Sequence, residues 1–93
     1  MHKEYFVYIL ANHTNNVFYT GITNNLERRV WEHKHSVNSH SFTTKYKVYK
    51  LVWFESFNTP DEAITTEKRV KDMNRKKKCL LIKNKNPNMI ELV

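Results

Sequence analysis

The 93-residue chain is poor in residues that interrupt or cross-link a fold: it has one glycine, two prolines and one cysteine. The lone Cys79 excludes an internal disulfide and a cysteine-based zinc site, and it favours the reducing cytoplasm. The chain has no run of about eighteen apolar residues, so no membrane span is expected. The apolar run near the N-terminus is too short for a signal peptide. We therefore predict a cytoplasmic protein with a single domain, residues 1–93, built around one hydrophobic core.

Acidic residues are also scarce. Nine Asp and Glu oppose sixteen Lys and Arg, which gives a net charge of +7. Such an excess favours a polyanionic partner, most often nucleic acid, over a merely solvated basic surface, an anionic membrane or an acidic protein. The basic residues crowd the last third of the chain, where they predict a phosphate-binding surface that includes Arg75, Lys76, Lys77 and Lys78.

The only glycine, Gly21, lies within Phe18–Thr23, a run that otherwise has the composition of a strand. Glycine inside a strand often marks a place where a ligand or another backbone approaches closely. We therefore expect open space at Gly21, beside Tyr19, and we interpret that space as part of a binding or active site.

Hydrophobic patterning predicts three strands, at Tyr5–Leu10, Val17–Thr23 and Lys47–Phe57. It predicts three helices, at about Leu26–His35, Pro60–Met73 and Lys76–Lys83. Asn24 or Asn25 can cap the first helix, and Thr59 with Glu62 forms a capping box for the second. The polar residues 38–46 predict a loop, and Ala11–Asn16, with Asn15 and Asn16 suited to positive φ, predicts a hairpin turn.

The third strand is apolar on both faces. Val48, Val52 and Phe54 fall on one face, and Tyr49, Leu51 and Trp53 on the other. We therefore expect burial on both sides at the middle of this strand.

Glu67 is the sharpest anomaly, because on the second helix it points into an apolar face formed by Ala63, Ile64 and Val70. A buried carboxylate is unfavourable unless it is paired, hydrogen-bonded or bound to a metal. Two interpretations stay open here: a structural ion pair with a lysine or arginine, and a metal-binding or catalytic carboxylate. A lone carboxylate, completed by water and phosphate oxygens, suits Mg²⁺.

Four other side chains have both an ordinary and a chemical interpretation. Tyr8 and Tyr19 on adjacent strands are typical core tyrosines, Arg29 is typical of a surface cation, and His33 of a half-buried histidine. Arg29 and His33 are four residues apart and lie together at the edge of the apolar stripe of their helix. Placed beside a tyrosine and facing a carboxylate, Arg29 can clamp a phosphoryl group bidentately.

In their order and spacing these residues resemble the GIY-YIG nuclease domain, especially its small free-standing, UPF0213-like members. Val7–Leu10 looks like the first half of the motif, and Tyr19–Gly21 like the second half. Leu26–Arg29 followed by His33 looks like the family's helix pattern, and Ala63–Glu67 looks like the stretch that ends in its metal-binding glutamate. The chain departs from the namesake motif at Phe6, where the family has glycine, and at Thr20, where it has isoleucine.

The resemblance implies a compact α/β (α+β) fold, with a three-stranded antiparallel sheet flanked by about three helices. It also implies a divalent-metal-dependent endonuclease that hydrolyses phosphodiester bonds with Mg²⁺ or Mn²⁺. By analogy, Tyr8 is assigned as the base that acts on a water, and Tyr19 as a phosphate or water contact. Arg29 would stabilise charge on the phosphoryl oxygens, and His33 would orient the tyrosine or the phosphate.

Two further site residues follow from the same resemblance. A metal on Glu67 would stabilise the leaving 3′ oxygen, and Asn86 matches the asparagine that completes the family's site. Some relatives carry a lysine just after the second motif, and this chain has Thr23 in that region. Lowering of the tyrosine pKa would then depend on Arg29, on Lys45 or on the metal.

The expected partner is nucleic acid, DNA rather than RNA, contacted by Gly21, Lys45 and the basic residues near the C-terminus. We expect preference for branched, flap or single-stranded DNA, a role in repair or recombination, no membrane, and a monomer or weak dimer. Two alternatives stay open. One is a nucleic-acid binding module with weak or lost catalysis, and the other is an accessory protein that docks on a repair partner through Trp31.

Overall fold

A computed structural model describes residues 4–35 and 45–93. Its elements follow the order β1 (Tyr5–Ala11), β2 (Phe18–Thr23), α1 (Leu26–Lys34), β3 (Lys50–Phe57), α2 (Pro60–Lys71) and α3 (Arg75–Lys85). The predicted fold, a three-stranded antiparallel sheet with three helices, is confirmed. β3 begins later than predicted because Lys47 has a φ of 56°, in the left-handed region, which cannot continue a strand.

The sheet has the strand order β2-β1-β3, with both neighbouring pairs antiparallel. Tyr8 at the middle of β1 pairs with Gly21 on β2 and with Phe54 on β3. The β1–β2 turn is built as predicted: Asn15 has a φ of 59°, and the side chain of Asn12 accepts backbone hydrogen bonds within the turn.

Each helix begins at a side-chain cap. Asn25 accepts a hydrogen bond from the backbone N–H of Arg28 at 3.1 Å, which selects Asn25 over Asn24 as the first cap. Thr59 accepts from the N–H of Glu62 at 3.3 Å, and Pro60 occupies the first turn of α2. Asn74 caps α3 in the same way, at 2.9 Å. These caps satisfy backbone donors that a helix start leaves unpaired.

The two faces of the sheet are covered by different helices. Inward-facing residues of β1 pack with α2 and α3 in one cluster, which includes Val7, Ile9, Ala63, Val70 and Ile82. The other face packs against α1 in a second cluster, which includes Tyr8, Leu10, Val30 and Leu51. The burial predicted on both sides of the middle of β3 is confirmed, because Leu51 lies in the second cluster and Val52 and Trp53 lie in the first.

Three details differ from the sequence expectation. A register shift between Ile9 and Leu10 leaves Val52 without a partner on β1, so the alternation of faces along β3 is interrupted by a bulge. Beyond that bulge Phe54 is 39% exposed rather than buried. On α2, Ile64 was expected on the buried face but is 41% exposed. Thr66 is buried there instead, beside Ala63 and Val70.

The loop predicted over residues 38–46 falls mostly outside the described residues, and Lys45 and Tyr46 at its end have helical backbone. Within the described ranges, none of the helices is both long enough and apolar enough to cross a membrane.

Candidate active site

The ring of Tyr8 lies directly over the backbone of Gly21. A Cβ atom added to Gly21 would be 2.4 Å from both Cζ and Oη of Tyr8, and 2.9 Å from Cε1. Gly21 does not have a positive φ, so the lack of a side chain, rather than an unusual backbone angle, is what this position needs. The space predicted at Gly21 therefore exists, and the ring of Tyr8 fills it. Gly21 itself is buried.

Tyr8, Tyr19 and His33 form an aromatic cluster where β1 and β2 meet α1. The ring centroids are 6.3 Å apart for Tyr8 and Tyr19, 6.1 Å for Tyr8 and His33, and 5.4 Å for Tyr19 and His33. Oη of Tyr8 lies 3.2 Å from Nε2 of His33, within hydrogen-bond distance. The expected proximity of the two tyrosines is confirmed, because Tyr19 pairs with Leu10, two residues along β1 from Tyr8.

The protonation states of this pair follow from burial. Burial raises the pKa of Tyr8 well above its usual value, and negative charge on Tyr19 would raise it further, while Arg29 lowers it less. Burial lowers the pKa of His33 below 6.5, and Arg29 lowers it further. At neutral pH Tyr8 is therefore a phenol and His33 a neutral imidazole, and the Tyr8 hydroxyl can donate to His33 Nε2 when the imidazole proton is on Nδ1. Arg29 lowers the pKa of Tyr8 as expected, but burial of the ring raises it by more, so the charge of Arg29 alone does not bring the pKa below its usual value.

Arg29 projects from α1 beside this cluster. Its Nε lies 3.8 Å from Oε1 of Glu32, and the two side chains are 44% and 35% exposed. An exposed pair at that distance contributes little to stability. The guanidinium can therefore turn to an incoming phosphate with little loss, and its charge acts on both Tyr8 and His33.

Glu67 lies on α2, whose buried residues Ala63 and Val70 belong to the other core cluster from Tyr8. Its side chain is 16% exposed, and its carboxylate influences the pKa of Tyr8. Lys71, one turn further along the helix and 52% exposed, places Nζ 3.5 Å from Oε2 of Glu67. The ion-pair interpretation of Glu67 is thus observed. Because the lysine is exposed, it can move away from the carboxylate without leaving a buried charge of its own.

The donor set around Glu67 is compatible with only one type of metal site. In the part of the chain that the structure describes, no group of three His, Cys, Asp or Glu side chains could hold a metal ion together. A metal there would have Glu67 as its protein ligand and complete its shell with water and phosphate oxygens. Mg²⁺ accepts such a shell, because it keeps several of its waters and binds through one or two carboxylates plus substrate phosphates.

Asn86 has a different setting from the other predicted site residues. It is 5% exposed, and its amide nitrogen donates to the carbonyls of Val52 and Ile90, both at 2.9 Å. Its Oδ1 accepts from the N–H of Ile90 at 3.2 Å. Both amide donors are thus used to attach the C-terminal segment to β3. No donor remains for a substrate, so this asparagine has a structural task that the sequence reasoning missed.

Arg75, predicted as a phosphate contact, is also occupied. Its two terminal nitrogens donate to the carbonyls of Asn15 and Asn16, each at 2.6 Å, and its guanidinium lies 5.1 Å from the centre of the Phe18 ring. Arg75 therefore holds the start of α3 against the β1–β2 turn. The prediction of a phosphate contact at Arg75 is corrected, because both terminal nitrogens of its guanidinium already donate to backbone carbonyls.

The predicted lysines remain at the surface. Lys76 and Lys77 are exposed, and Lys78 is partly buried. Lys77 borders a surface cavity of about 420 Å³ between α2 and α3, together with Arg69, Asp72, Met73 and Asn74. Lys45 is exposed, with Nζ 5.4 Å from the centre of the Tyr46 ring, and its charge is not among those that shift the pKa of Tyr8.

Comparison with known proteins gives this arrangement a context. Residues 4–79 match the model of the GIY-YIG catalytic domain. A UPF0213 protein of Clostridium perfringens is 38% identical over 80 residues, which span 86% of this chain and 84% of that protein. The UPF0213 protein YazA of Bacillus subtilis is 35% identical over 83 residues, 89% of this chain and 82% of that one.

Among solved structures, the solution structure of a UPF0213 protein from Bacillus halodurans superimposes with a TM-score of 0.59 and 30% identity. The match covers 91% of this chain and 88% of that one. The matched residues, the identities and the shared fold agree: the chain belongs to the GIY-YIG family, among its small UPF0213 members.

Proposed function

We propose that the protein is a divalent-metal-dependent endonuclease that hydrolyses phosphodiester bonds in DNA. The observation that supports the proposal is the 3.2 Å contact between Tyr8 and His33, with Arg29 on the same helix as His33 and with the charges of Arg29 and Glu67 both influencing the pKa of Tyr8. Phosphoryl transfer requires a proton acceptor, a cation for the phosphoryl oxygens and a stabilised leaving group. In the proposed site, β1, α1 and α2 would supply these groups.

The proton acceptor is the Tyr8–His33 pair acting together. A phenol with a raised pKa is a poor base by itself at neutral pH. Neutral His33 can accept the Tyr8 proton at Nε2 as Tyr8 accepts one from a water molecule. The lowered pKa of His33 keeps it unprotonated, and therefore ready to accept, at neutral pH.

Arg29 and Glu67 complete the proposed site. Arg29 binds the non-bridging oxygens of the scissile phosphate and exchanges its weak contact with Glu32 for a charge-assisted one. Glu67 would hold Mg²⁺ or Mn²⁺, which when bound supplies Lewis-acid stabilisation of the leaving 3′ oxygen. Lys71 neutralises Glu67 while the ion is absent, so that the half-buried carboxylate is not left unpaired.

The charge of the chain supports a polyanionic substrate. A net charge of +7 on 93 residues favours long-range attraction of DNA, with Lys76 and Lys77 available at the surface. We propose selection for branched, flap or single-stranded structure rather than for sequence, and weak binding that falls steeply with salt. Equal binding constants at low and moderate salt would contradict that part of the proposal.

The test is nicking of labelled linear, single-stranded, flap and four-way DNA with Mg²⁺ or Mn²⁺. The wild type should be compared with Glu67→Ala and with Glu62→Ala, a matched loss of an exposed carboxylate from the same helix. We expect cleavage by the wild type and by Glu62→Ala, and none by Glu67→Ala. Cleavage by all three would overturn the role of Glu67, and cleavage by none would overturn the nuclease proposal.

A second function is favoured by one observation. The raised pKa of Tyr8 weakens it as a base, which suits a nucleic-acid binding module with little catalysis. That function predicts that the wild type and Glu67→Ala bind DNA equally well and that neither cuts it with either metal.

A further inference from the structure

An exposed aromatic pair stands on α1, outside the cluster described above. The indole of Trp31 is 54% exposed. The imidazole of His35 stacks on it, with ring centroids 4.3 Å apart and planes inclined by 20°. Nδ1 of His35 lies 2.8 Å from the carbonyl oxygen of Trp31, one turn back on the helix. The imidazole of His35 thus contacts both the ring and the carbonyl oxygen of Trp31, and it holds the indole in one orientation.

The surroundings of this pair are charged rather than apolar. Arg28, Trp31 and His35 are three and four residues apart, so they form one stripe along the exposed side of α1. Lys34, next along the helix, forms an ion pair with Glu91 and donates to the carbonyl oxygen of Val93. An indole bordered by an arginine and a histidine resembles the stacking platforms that bind unpaired bases, where aromatic rings alternate with cations that track the backbone.

The pair lies on the same helix as Arg29, the residue proposed to bind the scissile phosphate. Arg28 and Arg29 are consecutive, and Trp31 lies on the flank of α1 opposite to Arg29. A helix with its side chains is about 10–12 Å across, so a strand that passes around half of its circumference covers about 16–19 Å. At the rise of about 3.4 Å per nucleotide along one strand, this path corresponds to roughly five nucleotides. A strand with a phosphate at Arg29 can therefore pass Arg28 and place a base on Trp31.

We propose that Trp31, held by His35, stacks an unpaired base of the substrate strand a few nucleotides from the phosphate bound by Arg29, while Arg28 binds an intervening phosphate. The inference rests on the proposed function and specifies its substrate class: DNA that is single-stranded on one side of the cut. A base inside a duplex has both faces covered by its neighbours and cannot stack on the indole without unstacking first.

The chain offers a direct optical test. It has two tryptophans, and Trp53 is only 2% exposed, so quenching of tryptophan fluorescence by DNA reports on Trp31. Wild type, Trp31→Leu and Trp31→Phe should be titrated with a short oligothymidylate and with a blunt duplex, in EDTA to prevent cleavage, and the affinities measured independently by anisotropy of labelled DNA. Leu80→Ala is the matched control, because Leu80 is 62% exposed and lies on α3.

We expect the oligothymidylate to quench the wild type. Trp31→Leu should weaken single-strand binding by about 5- to 150-fold and duplex binding by less than about twofold, with Trp31→Phe intermediate and Leu80→Ala unchanged. The slope of log affinity against log salt should be the same for Trp31→Leu as for wild type, because stacking releases no counterions, whereas Arg28→Gln should reduce it by about 0.7. If Trp31 had only a structural role, Trp31→Leu would weaken binding of the single strand and of the duplex equally.

Two outcomes would overturn the inference. One is an equal effect of Trp31→Leu on single strands and duplex. The other is binding of single strands without quenching and without loss of affinity in Trp31→Leu. Cleavage by the wild type together with either outcome would reject only the stacking inference. Quenching with the expected losses but no cleavage under any metal would reject the nuclease proposal and leave single-strand binding in place.

Discussion

Replacing Gly21 by alanine should displace the ring of Tyr8. The new Cβ would be 2.4 Å from Cζ and Oη of Tyr8, far inside the separation of about 3.5–4.0 Å at which carbon atoms pack. The ring must therefore move by about 1 Å or more. It cannot move into solvent without leaving the cluster, because Tyr8 is 1% exposed and packs with Leu10 and Val30.

The displacement should affect stability and activity differently. Forcing an extra methyl into a packed core destabilises by about 1–3 kcal/mol, and for a domain of this size each kcal/mol lowers Tm by about 4–8 °C. A movement of about 1 Å also breaks the 3.2 Å contact between Tyr8 and His33. Misplacement of a reacting group by that distance reduces the rate by about 100-fold.

The assay is thermal unfolding combined with single-turnover cleavage, in a double-mutant cycle with Tyr8→Ala. If the clash with Tyr8 is the cause, Gly21→Ala should be destabilising in the wild-type background and nearly neutral in the Tyr8→Ala background. A Gly21→Ala variant with wild-type Tm and wild-type cleavage would refute the reasoning. An equal loss of stability in both backgrounds would assign the cost to the backbone of β2.

The remaining predictions concern three other side chains. Asn86→Ala leaves three backbone groups of Val52 and Ile90 without their side-chain partner. It should lower the free energy of unfolding, measured by urea titration, by about 2–3 kcal/mol. A loss of less than about 0.5 kcal/mol would contradict this prediction. Arg75→Gln should destabilise the fold by about 1–2 kcal/mol. It should leave the salt dependence of DNA binding unchanged, because the guanidinium is hydrogen-bonded to the β1–β2 turn. A smaller slope of log affinity against log salt would instead indicate that Arg75 contacts a phosphate. His33 has a lowered pKa in the folded protein, so below pH about 6.5 the unfolded chain binds a proton that the folded chain does not. Stability should fall as pH falls through that range, and His33→Gln should remove part of the fall; identical profiles for both proteins would show that His33 does not titrate this way.

The sequence predicted the elements well where local signals were strong. Thr59 and Pro60 specify the start of α2, and Asn15 specifies the positive φ of the β1–β2 turn. Details that depend on tertiary packing could not be predicted from local sequence signals. The bulge at Val52 requires knowledge of the register between β1 and β3, which periodicity alone does not contain, and Phe54 was consequently placed on a buried face.

The residues of the candidate site were predicted from sequence signals of different kinds. The single glycine identified the right place, but the spacing could not show that Tyr8, rather than a ligand, occupies the room beside it. Charge counting predicted cations near a tyrosine, whereas the sign of the pKa shift depends on burial, which the fold determines. Helical spacing placed His33 with Arg29 at the edge of the apolar stripe of α1, whereas its position beside the tyrosine was implied only by the family resemblance.

Asn86 and Arg75 illustrate the opposite case. Both were assigned to function by residue type and position, and both are held by backbone carbonyls distant in sequence. Such long-range hydrogen bonds carry no local sequence pattern. The one available signal for Asn86 was its position just after α3 and before Pro87, which is typical of a helix end.

The most direct test of the account is single-turnover cleavage of a labelled flap DNA by the wild type and by Glu67→Gln, across a titration of Mg²⁺ and with EDTA. The account predicts cleavage that rises with Mg²⁺ and stops in EDTA, and a Glu67→Gln variant that binds the flap like the wild type without cutting it. Cleavage in EDTA, or a Glu67→Gln variant that cuts at the wild-type rate and the same Mg²⁺ concentration, would contradict it.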